Sequence, residues 1–413
     1  MALRLPSGRV LTLAAMVSVT GSLVIAGVAT LFAVTNPQTT DFAGVDAVRH
    51  AQLANLGCVY SRSVQLAGAH LVPGVVAPAA STGLPWHFNE PLVTTLLAAP
   101  FTSLGISSAV NLWELVLWVS IAACAVFLWR DRAGLPRWLM AAVVGALLLN
   151  EIANTDFSLA QNEAVLLLAA LFALYLMRRH HDVAAGALLG LVAVKPQLVF
   201  LAFIALLFTR RWRIAASCAV TTCAVVGIGV LMAGPSCSLQ WLSSATQLGE
   251  FQIGIGLPDT VARVTGNAIL TEVAFLALSA ISVGVLWRIR SRVDTPLLVS
   301  IALALAVVIG VHTLAYDVLF LVPLGMAVAH ARPWLVVAAG WAFTLAQQFD
   351  STFLAARFFS STPVKATELV PFAGVALAIV FLVRSPRRAG ISVSSPLVPR
   401  GVVPASPSAI STT

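Results

Sequence analysis

The chain has 413 residues, 59% of them hydrophobic and only 10% charged, with a mean hydropathy of +0.94. A soluble domain carries about 25% charged residues, so composition excludes a soluble globular enzyme and identifies a polytopic membrane protein. The net charge of +8 does not mark a nucleic-acid binder. The basic residues sit in short clusters between apolar runs, where the positive-inside rule places them in cytoplasmic loops.

The first apolar run, residues 10–34, holds 25 residues without a charge, more than the roughly 20 a bilayer core requires. Arg4 and Arg9 precede it, as in a signal peptide, but a signal h-region is only about 7–15 residues long. The run therefore reads as a retained first helix with its N-terminus in the cytoplasm. Further runs fall near 107–128, 138–150, 162–177, 183–194, 197–208, 214–233, 269–287, 296–311, 317–330, 333–348 and 368–383. Counting each as one crossing gives an all-α bundle of about twelve transmembrane helices with both termini inside. This assignment puts 18 of the 24 Lys and Arg in cytoplasmic segments, with only Asp131, Asp182 and Asp294 of the 16 acids beside them. Two runs are short. Residues 183–194 and 197–208 each make about 18 Å of helix against a core of about 30 Å, and they meet at Lys195-Pro196. The count of crossings therefore lies between ten and thirteen.

The five cysteines show no paired metal spacing. Cys58 and Cys237 fall in segments assigned to the far, oxidising face, where a bridge between them is allowed. No internal repeat and no separate soluble domain is visible. Residues 1–388 read as one transmembrane domain, and residues 389–413, rich in Ser, Pro and Val, as a disordered cytoplasmic tail.

Several polar stretches could carry chemistry. In "TTDFAGVDAVRHAQLANLG" (39–57), Asp41 follows the first run by seven residues, and Val45, Val48, Leu53 and Leu56 share one broad helical face. That pattern predicts an interfacial amphipathic helix in the first outer loop. A partly desolvated carboxylate at its start can take a proton from a sugar hydroxyl. Spacing alone favours the simpler reading of Asp41 as a helix N-cap. "WHFNEPLVTTLLAAPFTSLG" (86–105) offers Asn89 and Glu90 before an apolar run opened by Pro91, either to grip a sugar or headgroup or as solvated residues near an interfacial Trp. "NTDFSLAQNEAVLLL" (154–168) presents Gln161, Asn162 and Glu163 at the start of a span, as hydroxyl ligands or as routine caps. Lys195 could neutralise a lipid phosphate or snorkel to an interface. Finally, "VHTLAYDVLF" (311–320) groups His312, Tyr316 and Asp317 between two uncharged runs. His312 and Tyr316 can donate to phosphate oxygens and Asp317 can orient them; a helix cap at the boundary is the alternative. No Walker A loop, GxGxxG, HExxH or CxxC is present, so neither nucleotide nor zinc chemistry has support, and no metal or other cofactor is expected.

Taken in order, "TDFAGVDAVRHAQLANLG", "FNEPLVTTLLAAPFTSLG", "LAQNEAVLLLAALFALYLMRRHHDVAAGALLGLVAVKPQLVF" and "GVHTLAYDVLFLVPL" resemble glycosyltransferase family 87, the polyprenyl-phosphate-mannose-dependent α-mannosyltransferases of the GT-C class. The similarity covers roughly residues 10–385. It implies a plasma-membrane transferase acting on the extracytoplasmic face, with a polyprenyl-phosphate sugar as donor and a glycolipid or lipoglycan as acceptor. The resemblance moves Asp41 from cap to general base, His312 to a donor-phosphate or catalytic contact, and Lys195 to a phosphate neighbour. Two departures stand out. Phe88-Asn89-Glu90-Pro91 replaces a frequent Tyr-Pro-Pro, and Ala160-Gln161 replaces a frequent Gly-Gln. Rival readings are a polyprenyl-phosphate-arabinofuranose donor on the same scaffold, or a lipid or solute transporter using Lys195, Glu114 and Asp317 as a relay. The absence of an inverted repeat argues against the transporter.

Overall fold

The computed structural model describes residues 8–73, 92–131, 135–149, 157, 159–246, 256–310, 313–351 and 366–384. Asn89, Glu90, His312 and the tail 389–413 lie outside these residues, as does the side chain of Tyr316. Every regular element described is helical: α1 Gly8–Thr35, α2 Asp41–Leu53, α3 Arg62–Ala69, α4 Thr95–Ala98, α5 Ile106–Arg130, α6 Arg137–Leu148, α7 Glu163–Arg178, α8 Asp182–Leu191, α9 Pro196–Phe208, α10 Trp212–Ala233, α11 Pro235–Thr246, α12 Leu257–Thr265, α13 Ala268–Ile289, α14 Thr295–Ile309, α15 Val322–Ala329, α16 Pro333–Ser351 and α17 Ala366–Arg384. Short 3-10 turns join several of them, the longest being Ala315–Leu321.

Four helices, within α1, α5, α10 and α13, are long and apolar enough to cross a bilayer, and eight described apolar segments are shorter. The outer flanks of the long helices are greasy: Leu13, Met16, Val17, Val24, Val28 and Leu31 of α1 are each more than half exposed. A contiguous apolar face of this kind is stable only against lipid. At the other extreme, α14 is apolar all round and buried along nearly its whole length, as expected for a helix enclosed by others. Asp294 caps its start by accepting from the Leu297 N–H at 2.9 Å, with Pro296 in the first turn. It packs against α9, α13, α15 and α17 and ends at Gly310.

The segments flanking Lys195-Pro196 are two short helices, α8 and α9, joined by a 3-10 turn at Val192–Val194. Pro196 opens α9, where its missing N–H costs nothing. The short α8 gains its support laterally. Gly186 and Gly190, four apart, bring its backbone onto α10: a Cβ at Gly186 would overlap the Ile214 carbonyl, and one at Gly190 would lie 2.7 Å from the Cys218 carbonyl. Small residues at this spacing let two membrane helices pack backbone to backbone. On the cytoplasmic side of the sequence map, Arg178 pairs with Asp131 at 2.9 Å, and His330 Nε2 bonds the Asp131 carbonyl at 2.7 Å. The bridge between Cys58 and Cys237 is formed, tying the α2–α3 connection to α11.

Candidate active site

Asp41 is the first residue of α2, and its neighbour Thr40 is the cap. Thr40 accepts from the Ala43 N–H at 3.3 Å and donates its hydroxyl to the Pro37 carbonyl at 2.7 Å. The capping alternative for Asp41 is therefore corrected, because the terminal N–H groups are served by the preceding residue and the carboxylate is left for other work. It accepts instead from the side-chain amide of Gln161, 120 residues away. Gln161 and the start of α7 likewise escape the routine-cap reading: Asn162 makes no side-chain cap bond.

One tryptophan holds both halves of this contact. Phe42, next to Asp41, stacks on Trp113 with ring centroids 5.3 Å apart and also meets Phe101 edge-on. The Trp113 indole N–H donates to the carbonyls of Ala160 and Gln161 at 2.9 and 3.2 Å. Between them Ala160 has φ of 52°, the left-handed region that glycine occupies without strain and other residues adopt at a cost. Ala160 therefore holds this turn under strain.

Two residues beyond Gln161, Glu163 makes an ion pair with Lys195, and Lys195 also donates to Asp317 at 3.1 Å. Glu163 and Asp317 are fully buried and Lys195 is nearly so. Lys195 is the residue before α9, and its ammonium, a donor only, takes carboxylates as partners. The other Asp317 oxygen accepts from the Leu314 N–H at 2.8 Å, so Asp317 caps the turn after α14 and also meets Lys195. The side chains of Asp41, Gln161, Lys195 and Asp317 thus converge from α2, the α6–α7 connection, the α8–α9 junction and the turn after α14.

Burial lifts the Asp41 carboxyl from an ordinary 3.8 to about 6; the Gln161 hydrogen bond and the charge of Lys195 pull the other way, and the charge of Glu163 adds to the rise. Such a group is ionised at neutral pH yet more basic than a solvated aspartate. Chemically the cluster offers a desolvated proton acceptor beside an ammonium clamped by two carboxylates. Among the described residues, no three His, Cys, Asp or Glu side chains are grouped to hold a metal ion. Glu163 and Trp113 were not assigned to the site from sequence. Glu163 had a signal, since a carboxylate entering an apolar span needs a cation and Lys195 needs an anion; Trp113 had none.

The site lies at one end of the bundle. Glu163 and Arg178 are the first and last residues of α7, roughly 22 Å apart along the axis, so the carboxylate cluster and the arginine-rich loops occupy opposite ends of it. Beyond Asp317, Val318 and Leu321 open an apolar cavity of about 230 Å³ that continues between α6, α15, α16 and α17, with Gly325, Gly340, Gly374 and Phe381 in its walls.

No curated protein and no solved structure matches the chain. A sequence model of one family does, over residues 88–321, which is more than half of the chain and includes Gln161, Glu163, Lys195 and Asp317. With its helical, membrane-compatible fold, the chain belongs to glycosyltransferase family 87.

Proposed function

We propose that the protein is a GT-C-type mannosyltransferase that moves mannose from polyprenyl-phosphate-mannose to a hydroxyl of a lipid-linked glycan, of phosphatidylinositol mannoside or lipoglycan type, with inversion. The observation that carries this reading is the union of the Asp41–Gln161 pair with Lys195 and its two carboxylates in one cluster. In the reaction, the Asp41 carboxylate takes the acceptor O–H proton, and the hydroxyl oxygen bonds the anomeric carbon of a β-linked donor. The anomeric C–O bond to phosphate breaks in the same displacement, leaving an α-mannoside and free polyprenyl phosphate. Lys195 meets the negative charge on the leaving phosphate, with His312 in the role the resemblance implies. Fixed charges act most strongly where charge develops in a site shielded from water.

Three features support the finer parts of the reading. The apolar cavity beginning beside Asp317 has the lining an isoprenoid chain requires. The Cys58–Cys237 bridge follows α2, whose first residue is the base, and disulfides persist in oxidising compartments; this favours an extracytoplasmic active site at the plasma membrane. The arginine-rich loops belong to the other end. On this reading α2 lies along the membrane interface, the shorter apolar helices complete about twelve crossings, and residues 389–413 form a cytoplasmic tail outside the transferase domain 1–388.

The test is to incubate purified protein with radiolabelled polyprenyl-phosphate-mannose and extracted membrane glycolipids. Label is expected on the glycolipid with release of polyprenyl phosphate. Transfer from polyprenyl-phosphate-arabinofuranose alone would replace the sugar, and vesicle flux without transfer would overturn the assignment.

A further inference from the structure

Helix α2 carries Asp41 at its start, and one stripe of it stays partly accessible. Asp41, Val45, Arg49 and Gln52 are half-buried, while Gly44, Ala47, Val48 and Ala51 are buried against neighbouring elements. At about 100° per residue these four positions lie within one arc of about 80°, whereas the fifth half-buried residue of the helix, His50, lies on the other side. The stripe therefore runs from the proton acceptor to the helix C-terminus, about 16 Å away.

At that far end is a polar hollow of about 240 Å³, lined by Gln52, Asn55, Gly57, Leu92 and Cys237 among others. Its walls are held in place. Asn55 and Gly57 take left-handed conformations (φ 54° and 111°), and the Leu56 N–H closes onto the Ala51 carbonyl at 3.1 Å, ending α2 in a Schellman-type turn. The Cys58–Cys237 bridge clamps this turn to α11. Gln52 Oε1 and the Thr95 hydroxyl lie 2.9 Å apart, and the same hydroxyl reaches the Leu92 carbonyl at 2.8 Å; its one proton serves one of the two oxygens, and the contact holds the carboxamide in the wall of the hollow.

No ionisable side chain lines the hollow among the described residues. Carboxamides both donate and accept, so this lining suits hydroxyl groups and supplies no positive charge to balance a phosphate or carboxylate. The hollow is distinct from the apolar cavity of the Asp317 side, whose lining shares no residue with it.

We propose that the α2 stripe and this hollow form a distal subsite for a neutral oligosaccharide: the acceptor hydroxyl is read at Asp41 while sugar units further along the acceptor are read at Gln52 and Asn55. The inference rests on the glycosyltransferase reading and adds to it a length requirement. An acceptor must extend about 16 Å to engage both ends, so a single sugar occupies only the reacting end.

The test uses the full chain in nanodiscs, as wild type, Gln52→Glu and Asn55→Gly. Gln52→Glu keeps an oxygen for Thr95 and removes the NH₂ donor; Asn55→Gly keeps the left-handed turn and removes the amide. With polyprenyl-phosphate-mannose as donor, KM is measured for methyl α-mannoside and for an α-mannotetraose. In each variant the tetraose KM should rise relative to the methyl mannoside KM by about fivefold, the effect of one neutral hydrogen bond, with kcat for the tetraose held. Equal change for both acceptors, or no change, overturns the subsite. If the wild type transfers to neither free acceptor, the glycolipid assay above decides the transferase reading separately, and saturation-transfer NMR with the free tetraose decides the subsite. Contact in wild type that is lost in Gln52→Glu supports it; no contact, or undiminished contact in the variant, overturns it.

Discussion

Replacing Asp41 by Asn should abolish turnover and at the same time stabilise the fold. The carboxyl is raised from 3.8 to about 6 by burial. A group whose folded pKa lies above its unfolded value binds its proton more tightly in the native state, so ionising it destabilises the fold. The penalty is absent below pH 3.8, grows between 3.8 and about 6, and is complete above that. At about 1.4 kcal/mol per pH unit, the ionised carboxylate costs roughly 3 kcal/mol at pH 7.5. Asn retains an oxygen for the Gln161 amide and carries no charge, so most of that cost should be recovered. Thermal unfolding in matched detergent at pH 7.5 and pH 4 is the assay. The variant should melt above wild type at pH 7.5, with the gap closing toward pH 4, while transfer falls by about 10²–10⁴, the usual contribution of a general base. Wild-type kcat/KM should fall with unit slope below about pH 6, where the base becomes protonated. A variant that melts below wild type at pH 7.5, or that turns over normally, refutes the assignment of Asp41 as a desolvated base.

Other consequences follow from the same geometry. Lys195→Met strands Glu163 and Asp317 as buried charges and should cost about 3–5 kcal/mol; adding Glu163→Gln should return part of it, and additive losses in chemical denaturation would argue that the pair is not coupled. Gly374→Trp fills the apolar cavity, since a Cβ there meets nothing within 4 Å, and should raise KM for long-chain polyprenyl donors while sparing short-chain ones; equal KM changes for both chain lengths would remove the cavity from donor binding. Cys58→Ser opens a loop closed across 179 residues of sequence, for which chain entropy alone gives up to about 5 kcal/mol. A melting temperature unaffected by the substitution would show that α11 is held by packing instead.

Composition and charge placement by themselves pointed to a helical membrane chain, to the approximate place of its long apolar helices, and to Lys195-Pro196 as the junction of two short ones; the shorter, more polar helices α3, α11 and α12 left no such signal. Those properties are local: they follow from runs of apolar residues, from Pro at helix starts, and from arginine clusters between spans. The list of candidate groups was legible for the same reason, since Asp41, Gln161, Lys195 and Asp317 are polar residues in surroundings that penalise them. Which of their roles applied was not. Whether Asp41 caps α2 turned on whether Thr40 reached the Ala43 N–H, a matter of backbone angles at one residue. The pairing of Lys195 with Glu163 and Asp317, and of Asp41 with Gln161, joins positions up to 122 residues apart. Only the packing of α7, α9 and α14 decides which buried charges share one solvent-free space, because Coulomb attraction in a low dielectric selects partners by distance and not by sequence order.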